Sequence, residues 1–355
     1  MAGLISSLGD AMKAAYLQNN QIHVGEVPEP IPSKGQALVR THTCGLCASD
    51  AHFLHGGDAV VEMSRKFGGP YAKLDLAQVI VMGHEYVGEI LDYGPGSRRP
   101  LKTGTRVTSQ PVVRTAGGHS IIGQSHDCPG GFGELMLLDE NALMEIPGGL
   151  DDERAAMTEP LAVGLEHARA GEPTKADVPL VIGCGAIGLG VIAGLKLMGL
   201  GPIVAADFDP KRRDIAIKMG ADIVVDPREL SPYGPVHGLG TQRATLVYEC
   251  VGKPGLLNEI IRSVGFGARI VIGGFCLVPE EIYIPNAQSK RLKINFAAGE
   301  EQQDLDLALR SIADGKIDIT PWLGGRIGLG GVADALDAMS SPTAPVRTVV
   351  DPRRM

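Results

Sequence analysis

The sequence lacks the excess of positive charge that nucleic-acid binders use to neutralise phosphates. Acidic residues outnumber basic ones by 41 to 33, and the formal net charge is -8 at pH 7. The longest unbroken basic run is Lys211-Arg212-Arg213. Because phosphate neutralisation needs a concentrated positive surface, we expect no nucleic-acid partner.

Long apolar runs and a compact disulfide framework are also missing. No run approaches the ~20 apolar residues that a membrane-spanning helix needs, so no membrane association is expected. The N-terminal stretch has no basic region and no long apolar core, which predicts that it is not a signal peptide. The few cysteines do not form a compact disulfide framework, and this favours a reducing cytoplasm. They are residues 44, 47, 128, 184, 250 and 276.

The chain is nevertheless rich in glycine and apolar residues, and the pattern in which they occur changes near residue 150. Between residues 12 and about 155, short apolar runs alternate with Gly and Pro, which predicts short bent strands. A helix is predicted over Arg154 to Arg169, and apolar strands and helices then alternate. This alternation predicts an α/β fold class with a doubly wound parallel sheet beside a β-rich part.

A glycine-rich loop opens the alternating part. Gly183, Gly185 and Gly188 form a Gly-x-Gly-x-x-Gly pattern between a predicted strand and a predicted helix, and Asp207 ends the next strand. The glycines permit a tight turn, close approach of a pyrophosphate and close helix packing, while the acid binds ribose hydroxyls. The pattern therefore predicts a dinucleotide site, with a capped tight turn as the alternative.

Candidate zinc ligands occur earlier in the chain. Cys44 and Cys47 form a Cys-x-x-Cys pair, Gly83-His84-Glu85 follows, and Glu159 comes later. Thiolate, imidazole and carboxylate are the groups that zinc selects. A redox pair or half of a zinc knuckle are the alternatives for the two cysteines, although no second pair completes a knuckle.

Together these motifs resemble the zinc-containing medium-chain alcohol and polyol dehydrogenases, and the resemblance covers nearly the whole chain. Its pieces include Cys47-Ala-Ser-Asp50, Gly83-His-Glu-x-x-Gly88 and Glu159-Pro-Leu-Ala-Val163. It implies a GroES-like catalytic domain over 1–158, completed by 297–355. A Rossmann dinucleotide-binding domain is implied over 159–296, and a homodimer or homotetramer is implied as the assembly.

The resemblance also implies roles for particular residues. Zinc would be bound by Cys47 and His84, with Glu85 and Glu159 as acids that bind it directly or through water, and Asp50 would orient the imidazole. Ser49 and His52 would form a proton relay. The expected dinucleotide contacts are Gly183, Gly185, Ala186, Ile187, Gly188, Asp207, Arg212, Val251, Ile272 and Gly273. The negative charge of Asp207 favours NAD over NADP. The alternatives for the neighbouring run Lys211-Arg212-Arg213 are partial neutralisation of a 2′-phosphate or stacking of Arg212 or Arg213 near the adenine.

Two departures from the family pattern affect the expectations. The four cysteines of a structural zinc are missing, and His119, His126 and Cys128 offer only an incomplete alternative set. The link between Cys47 and His84 is long, and its extra segment, about Gly56 to Gln78, is expected to be a loop near the substrate that selects it. One catalytic zinc per chain is therefore predicted.

The predicted reaction is hydride transfer between a secondary alcohol or polyol, or its ketone, and NAD(H). Zinc lowers the pKa of bound water from about 16 to about 7, which no ordinary side-chain base achieves. The acid Glu159, where ethanol-type members carry a second cysteine, favours the polyol branch. The alternatives are a zinc-free enone or quinone reductase on the same fold and a non-catalytic protein that senses NAD(H).

Overall fold

The computed structural model describes residues 10–115, 118–238, 244–339, 341 and 344–355. They form two compact units: one runs to Met157 and resumes at Leu323, and the other runs from Thr158 to Trp322 and includes a short segment ending at Val346. No helix in these ranges is long and apolar enough to cross a bilayer.

The first unit is built mainly from strands. A three-stranded sheet has the order β2-β1-β4, and a larger sheet has the order β10-β6-β5-β3-β18-β17 with β9 also paired to β3. In the larger sheet, β17 is Leu323–Ile327 and β18 is Arg347–Val350. Strands β7 and β8 form a separate antiparallel pair. Its elements before residue 158 are β1 (Ala11–Gln18), β2 (Gln21–Pro28), β3 (Gln36–Gly45), α1 (Ala48–Phe67), β4 (Ile80–Val81), β5 (Glu85–Tyr93), β6 (Arg106–Thr108), β7 (Val112–Thr115), β8 (Gly118–Ile121), β9 (Leu135–Asp139), β10 (Met144–Glu145) and α2 (Asp152–Ala156).

The second unit is a doubly wound α/β unit. Its six strands are all parallel and have the order β13-β12-β11-β14-β15-β16. Strands β12 and β13 are added on one side of β11 and strands β14 to β16 on the other, so the strand order switches between β11 and β14. Ligands bind outside the carboxyl ends of the strands at such a switch point. The elements are α3 (Thr158–Ala170), β11 (Asp177–Ile182), α4 (Ala186–Leu197), β12 (Val204–Ala206), α5 (Pro210–Met219), β13 (Ile223–Val225), α6 (Tyr233–Gly238), β14 (Ala244–Glu249), α7 (Leu256–Ser263), β15 (Arg269–Ile272), α8 (Ile284–Ser289), β16 (Lys293–Phe296) and α9 (Gln302–Ala313).

The chain re-enters the first unit later than the expected residue 297. The strand β17 (Leu323–Ile327), the helix α10 (Val332–Ala338) and the strand β18 (Arg347–Val350) belong to that unit. Helix α9 stays with the second unit because it packs on α3, where Arg169 Nη2 donates to Asp304 Oδ2 at 2.8 Å and Leu305 is buried. The return therefore begins at Leu323.

The segment expected to be a loop, Gly56 to Gln78, is helical in its first half. Helix α1 continues to Phe67 with a kink at Gly56, and Gly68 ends it with a φ of 77°. Val60 and Val61 are buried on one side, and basic residues in the last turn complement the helix dipole. The loop expectation was wrong because the paired glycines at 56–57 bend the helix without ending it.

The predicted single helix over Arg154 to Arg169 is two helices. Met157 separates α2 from α3 with a φ of -77° and a ψ of 2°, which is outside the regular helical range. Asp151 caps α2 by accepting a hydrogen bond from the backbone N–H of Arg154 at 2.9 Å. The break places Glu159 in the first turn of a new helix, where an acid is favoured.

Candidate active site

Cys47 lies between a strand and a helix of the first unit. Strand β3 ends at Gly45, and Leu46 N–H donates to Thr348 O at 2.9 Å, which ties this corner to β18. Asp50 accepts a hydrogen bond from Cys47 N–H through Oδ2 at 3.0 Å. The thiol therefore has a fixed position at the N-terminus of α1.

His84 is brought to the same corner by strand pairing. In the antiparallel pair of β3 and β5, Gly45 is opposite Glu85, so the residue before Glu85 lies beside the end of β3. Gly83 has a φ of 97°, and a Cβ there would lie 2.6 Å from Phe132 Cδ1 and 2.8 Å from Cys44 Sγ. Only glycine fits, and this tight turn sets the position of the imidazole.

Three potential ligand atoms converge at this corner. Atoms of Cys47, His84 and Glu85 all lie within 4.8 Å of one another. Ser49 Oγ is 3.4 Å from His84 Nε2, and Asp50 Oδ1 is 3.7 Å from His84 Nδ1. With Nδ1 directed at a carboxylate, Nε2 is the nitrogen suited to a metal, because a ligating histidine is generally oriented through its other nitrogen.

The electrostatics of the corner suit a bound cation. Burial, reinforced by the nearby charge of Glu85, raises the pKa of the Cys47 thiol to about 12, while Arg347 opposes the shift. Burial also raises the pKa of Asp50, against the influence of His84. A thiolate and buried carboxylates at neutral pH require compensating positive charge, so this donor set fits a zinc ion.

Glu85 also forms an ion pair with Arg347. Arg347 donates to both of its carboxylate oxygens, from Nε at 2.9 Å and from Nη2 at 2.8 Å. A direct bond between Glu85 and a metal would compete with this ion pair. Sequence reasoning missed Arg347, and its available signal was a charged residue within an apolar terminal strand.

The other residues expected in the catalytic set occupy defined elements. His52 lies on α1, one turn after Ser49, and burial together with His55 lowers its pKa. Glu159 is buried in the first turn of α3, in the second unit. The relay and the coordination by Glu159 stay predictions.

The alternative metal set is dispersed. His119 is exposed on β8, and Cys128 is fully buried with its pKa raised by that burial to about 11. His126 Nε2 accepts a hydrogen bond from Asp75 N–H at 3.1 Å. Within the described ranges, Cys47, His84 and Glu85 are the group found that could hold a metal.

The glycine-rich loop of the second unit has the geometry of a dinucleotide cradle. Gly183, with a φ of 92°, directly follows β11, and Gly185 precedes the N-terminus of α4. A Cβ on Gly188 would lie 1.8 Å from Gly183 O, whereas one on Gly185 would meet nothing within 4 Å. The first contact requires glycine for packing, and the open space leaves room for a pyrophosphate at the helix N-terminus, beside Ala186 and Ile187.

Asp207 is held beside this loop by backbone groups. Its Oδ2 accepts from Cys184 N–H at 2.7 Å, and its Oδ1 accepts from Asp209 N–H at 2.8 Å. The carboxylate retains lone pairs for ribose hydroxyls. Arg212 is half-buried on α5, and Arg213 Nη1 donates to Asp207 O at 2.7 Å.

The remaining predicted dinucleotide contacts follow the next two strands. Glu249, at the end of β14, accepts from the backbone N–H groups of Val251 and Gly252 at 2.7 and 2.8 Å. Ile272 ends β15, and Gly273 N–H donates to Glu249 O at 2.8 Å. These residues therefore share the carboxyl edge of the sheet with Gly183 and Asp207, as a dinucleotide site requires.

Comparison with known proteins identifies the family of both parts of the chain. Residues 33–148 match the model for an alcohol dehydrogenase GroES-like domain, and residues 186–314 match the model for a zinc-binding dehydrogenase. The (R,R)-butanediol dehydrogenase of Bacillus subtilis is 31% identical over 274 residues, which are 74% of this chain and 77% of the relative. The chain belongs to the zinc-containing medium-chain alcohol and polyol dehydrogenases.

Two further relatives support the family. Sorbitol dehydrogenase of Bacillus subtilis is 28% identical over 305 residues, with 82% of this chain and 80% of the relative covered. The crystal structure of the alcohol dehydrogenase RspB from Escherichia coli CFT073 with NADH has a TM-score of 0.80 and 25% identity, covering 97% of this chain and 100% of RspB. The predicted family, fold class and zinc-dependent dehydrogenase activity are confirmed, so this protein transfers hydride between an alcohol and a nicotinamide dinucleotide.

Proposed function

We propose that this dehydrogenase reversibly oxidises a secondary alcohol or polyol with NAD, using one zinc ion per chain. The observation that carries the proposal is the convergence of Cys47, His84 and Glu85 within 4.8 Å. Cys47 and His84 would hold the ion, and Glu85 and Glu159 are the acids that the resemblance implies as direct or water-mediated ligands. When bound, zinc supplies Lewis-acid charge that lowers the pKa of an alcohol hydroxyl.

The residues of this chain would position the substrate and move its proton. Asp50 fixes the Cys47 backbone and faces His84 Nδ1, so both ligands keep their orientation. Ser49 Oγ, 3.4 Å from His84 Nε2, would accept the proton of the alcohol while its own hydroxyl proton is passed on. His52, with its pKa lowered by burial and His55, is neutral at pH 7 and can receive that proton next.

The preference for NAD rests on Asp207. Its carboxylate is fixed by two backbone N–H groups beside the glycine-rich loop, where an adenosine ribose would lie. A 2′-phosphate at about 5 Å would be repelled by about 3 kcal/mol at an effective dielectric near 20, before screening. The related RspB structure contains NADH.

The secondary-alcohol assignment rests on the acid Glu159 and on the relatives. Sorbitol is a polyol, and the (R,R) descriptor of the butanediol relative denotes two stereogenic carbons that carry hydroxyl groups. A panel of secondary alcohols, polyols and matched primary alcohols, assayed with NAD and NADP, tests the assignment. Faster oxidation of primary alcohols than of every secondary alcohol would contradict it.

Two expectations about assembly and location accompany the proposal. The family resemblance supports a homodimer or homotetramer, which light scattering of the purified protein can distinguish. A cytoplasmic location is supported by the sparse cysteines and is tested by fractionation of the source cells. Neither expectation affects the chemistry proposed above.

A further inference from the structure

A buried carboxylate lies directly behind the loop that carries Asp207. Asp226 follows strand β13, with its side chain 6% exposed, and two arginines converge on it. Arg213 Nη1 donates to its Oδ2 at 3.0 Å, and Arg228 Nε donates to its Oδ1 at 2.9 Å. Arg228 Nη2 also donates to Oδ2. Asp226 thus engages both guanidinium groups through hydrogen bonds.

The same two arginines also contact the backbone next to Asp207. Arg213 Nη1 donates to Asp207 O at 2.7 Å and to Phe208 O at 3.1 Å. Arg228 Nη2 donates to Phe208 O at 2.7 Å, and its guanidinium lies 5.7 Å from the centre of the Phe208 ring. Two positive groups therefore lie immediately beside the acid that would face the ribose.

Arginines at this position would ordinarily favour a phosphate. A guanidinium binds phosphate through paired, charge-assisted hydrogen bonds, so a released arginine beside Asp207 would attract a 2′-phosphate. The Arg228 side chain is 61% exposed, against 18% for Arg213, so Arg228 is the freer of the two. Arg228 also holds the pKa of Asp226 well below its ordinary range, so the carboxylate remains charged at neutral pH.

We propose that Asp226 is a specificity-determining positioning residue, which keeps Arg228 and Arg213 turned away from the 2′ position of the cofactor ribose. The inference rests on the proposed use of NAD. Asp207 repels the phosphate, and Asp226 prevents the neighbouring arginines from offsetting that repulsion. The preference for NADH then depends on two acids, of which only Asp207 would touch the cofactor.

The test is direct titration of the purified full-length protein with NADH and with NADPH, followed by cofactor fluorescence. In Asp226→Asn, Arg228 loses its charged partner, and the ratio of the NADPH Kd to the NADH Kd should fall about tenfold, the effect of one charge-assisted contact. Adding Arg228→Gln should restore the ratio. The gain should also shrink at high salt, because the contact is ionic and exposed.

A matched control separates this role from loss of structure. Asp222 lies before the same strand and accepts a hydrogen bond from Ile203 N–H at 2.8 Å, so Asp222→Asn should leave the ratio unchanged. Asp226→Glu should retain the preference for NADH. If Asp226→Asn does not fold, Asp226→Ser replaces it, because a serine hydroxyl is neutral and can still accept a hydrogen bond.

The outcomes distinguish the inference from the proposed function beneath it. If the wild-type protein binds NADPH as tightly as NADH, the proposed use of NAD is wrong and the inference fails with it. If the wild type prefers NADH but folded Asp226→Asn keeps its ratio within twofold, only the role of Asp226 is wrong. An equal shift in Asp222→Asn would also overturn that role.

Discussion

Arg347 and Glu85 form a buried, bidentate ion pair beside Cys47. The guanidinium donates to both carboxylate oxygens at 2.9 and 2.8 Å, and the two side chains are 5% and 0% exposed. The pair joins the C-terminal strand β18 to β5, 262 residues earlier in the chain. It neutralises a carboxylate that would otherwise be buried alone next to the proposed zinc ligands.

Breaking this pair should destabilise the protein strongly. In Arg347→Met, Glu85 is left as an uncompensated buried charge, and the free energy of unfolding should fall by about 3–5 kcal/mol. Urea denaturation measures the loss. Arg99→Met is the control, because Arg99 and its partner Asp92 are both more than half exposed and should contribute less than about 1 kcal/mol. Equal, small losses in both variants would show that the Glu85 pair is not structurally important.

Removing the Asp50 carboxylate charge should weaken metal binding without removing a ligand. Asp50 accepts from Cys47 N–H and faces His84 Nδ1, so Asp50→Asn disturbs the orientation of both proposed ligands. Loss of such a supporting contact typically reduces metal affinity about 10–100-fold. Competition with a chelator measures the zinc affinity.

The control for that experiment lies on the same helix. Asp58 is exposed and binds only to Asn20 among the hydrogen bonds described for its side chain. Asp58→Asn should keep wild-type zinc affinity. If Asp50→Asn also keeps it, Asp50 does not support the metal site.

Neutralising Asp207 should reduce the selectivity for NAD. Asp207→Asn removes the charge facing a 2′-phosphate, and the relative kcat/KM for NADP should rise roughly 5- to 150-fold, which corresponds to about 1–3 kcal/mol. The conformation of the glycine-rich loop should be preserved, because the Asn amide oxygen can still accept a hydrogen bond from Cys184 N–H. An unchanged ratio of kcat/KM values would show that Asp207 does not face the ribose.

The β/α alternation after residue 150 could be predicted because short apolar strands and glycine turns are local signals. The cluster of Cys47, His84 and Glu85 could be predicted because family motifs identify its members. Helix α1 beyond Gly56 was missed because its glycines resemble a break, while the burial of Val60 and Val61 depends on packing partners. Arg347 was missed because its partner is remote in sequence.

The zinc content of the washed protein, measured per chain in the wild type and in Cys47→Ser alongside NADH formation, tests the central claim most directly. Cys44→Ser is the matched control, because Cys44 Sγ packs against Gly83 and Gly131 and lies outside the converging group. We expect one zinc per chain in the wild type and in Cys44→Ser. We expect little zinc and little activity in Cys47→Ser. Two zincs per chain in the wild type, or full activity in Cys47→Ser, would contradict the account.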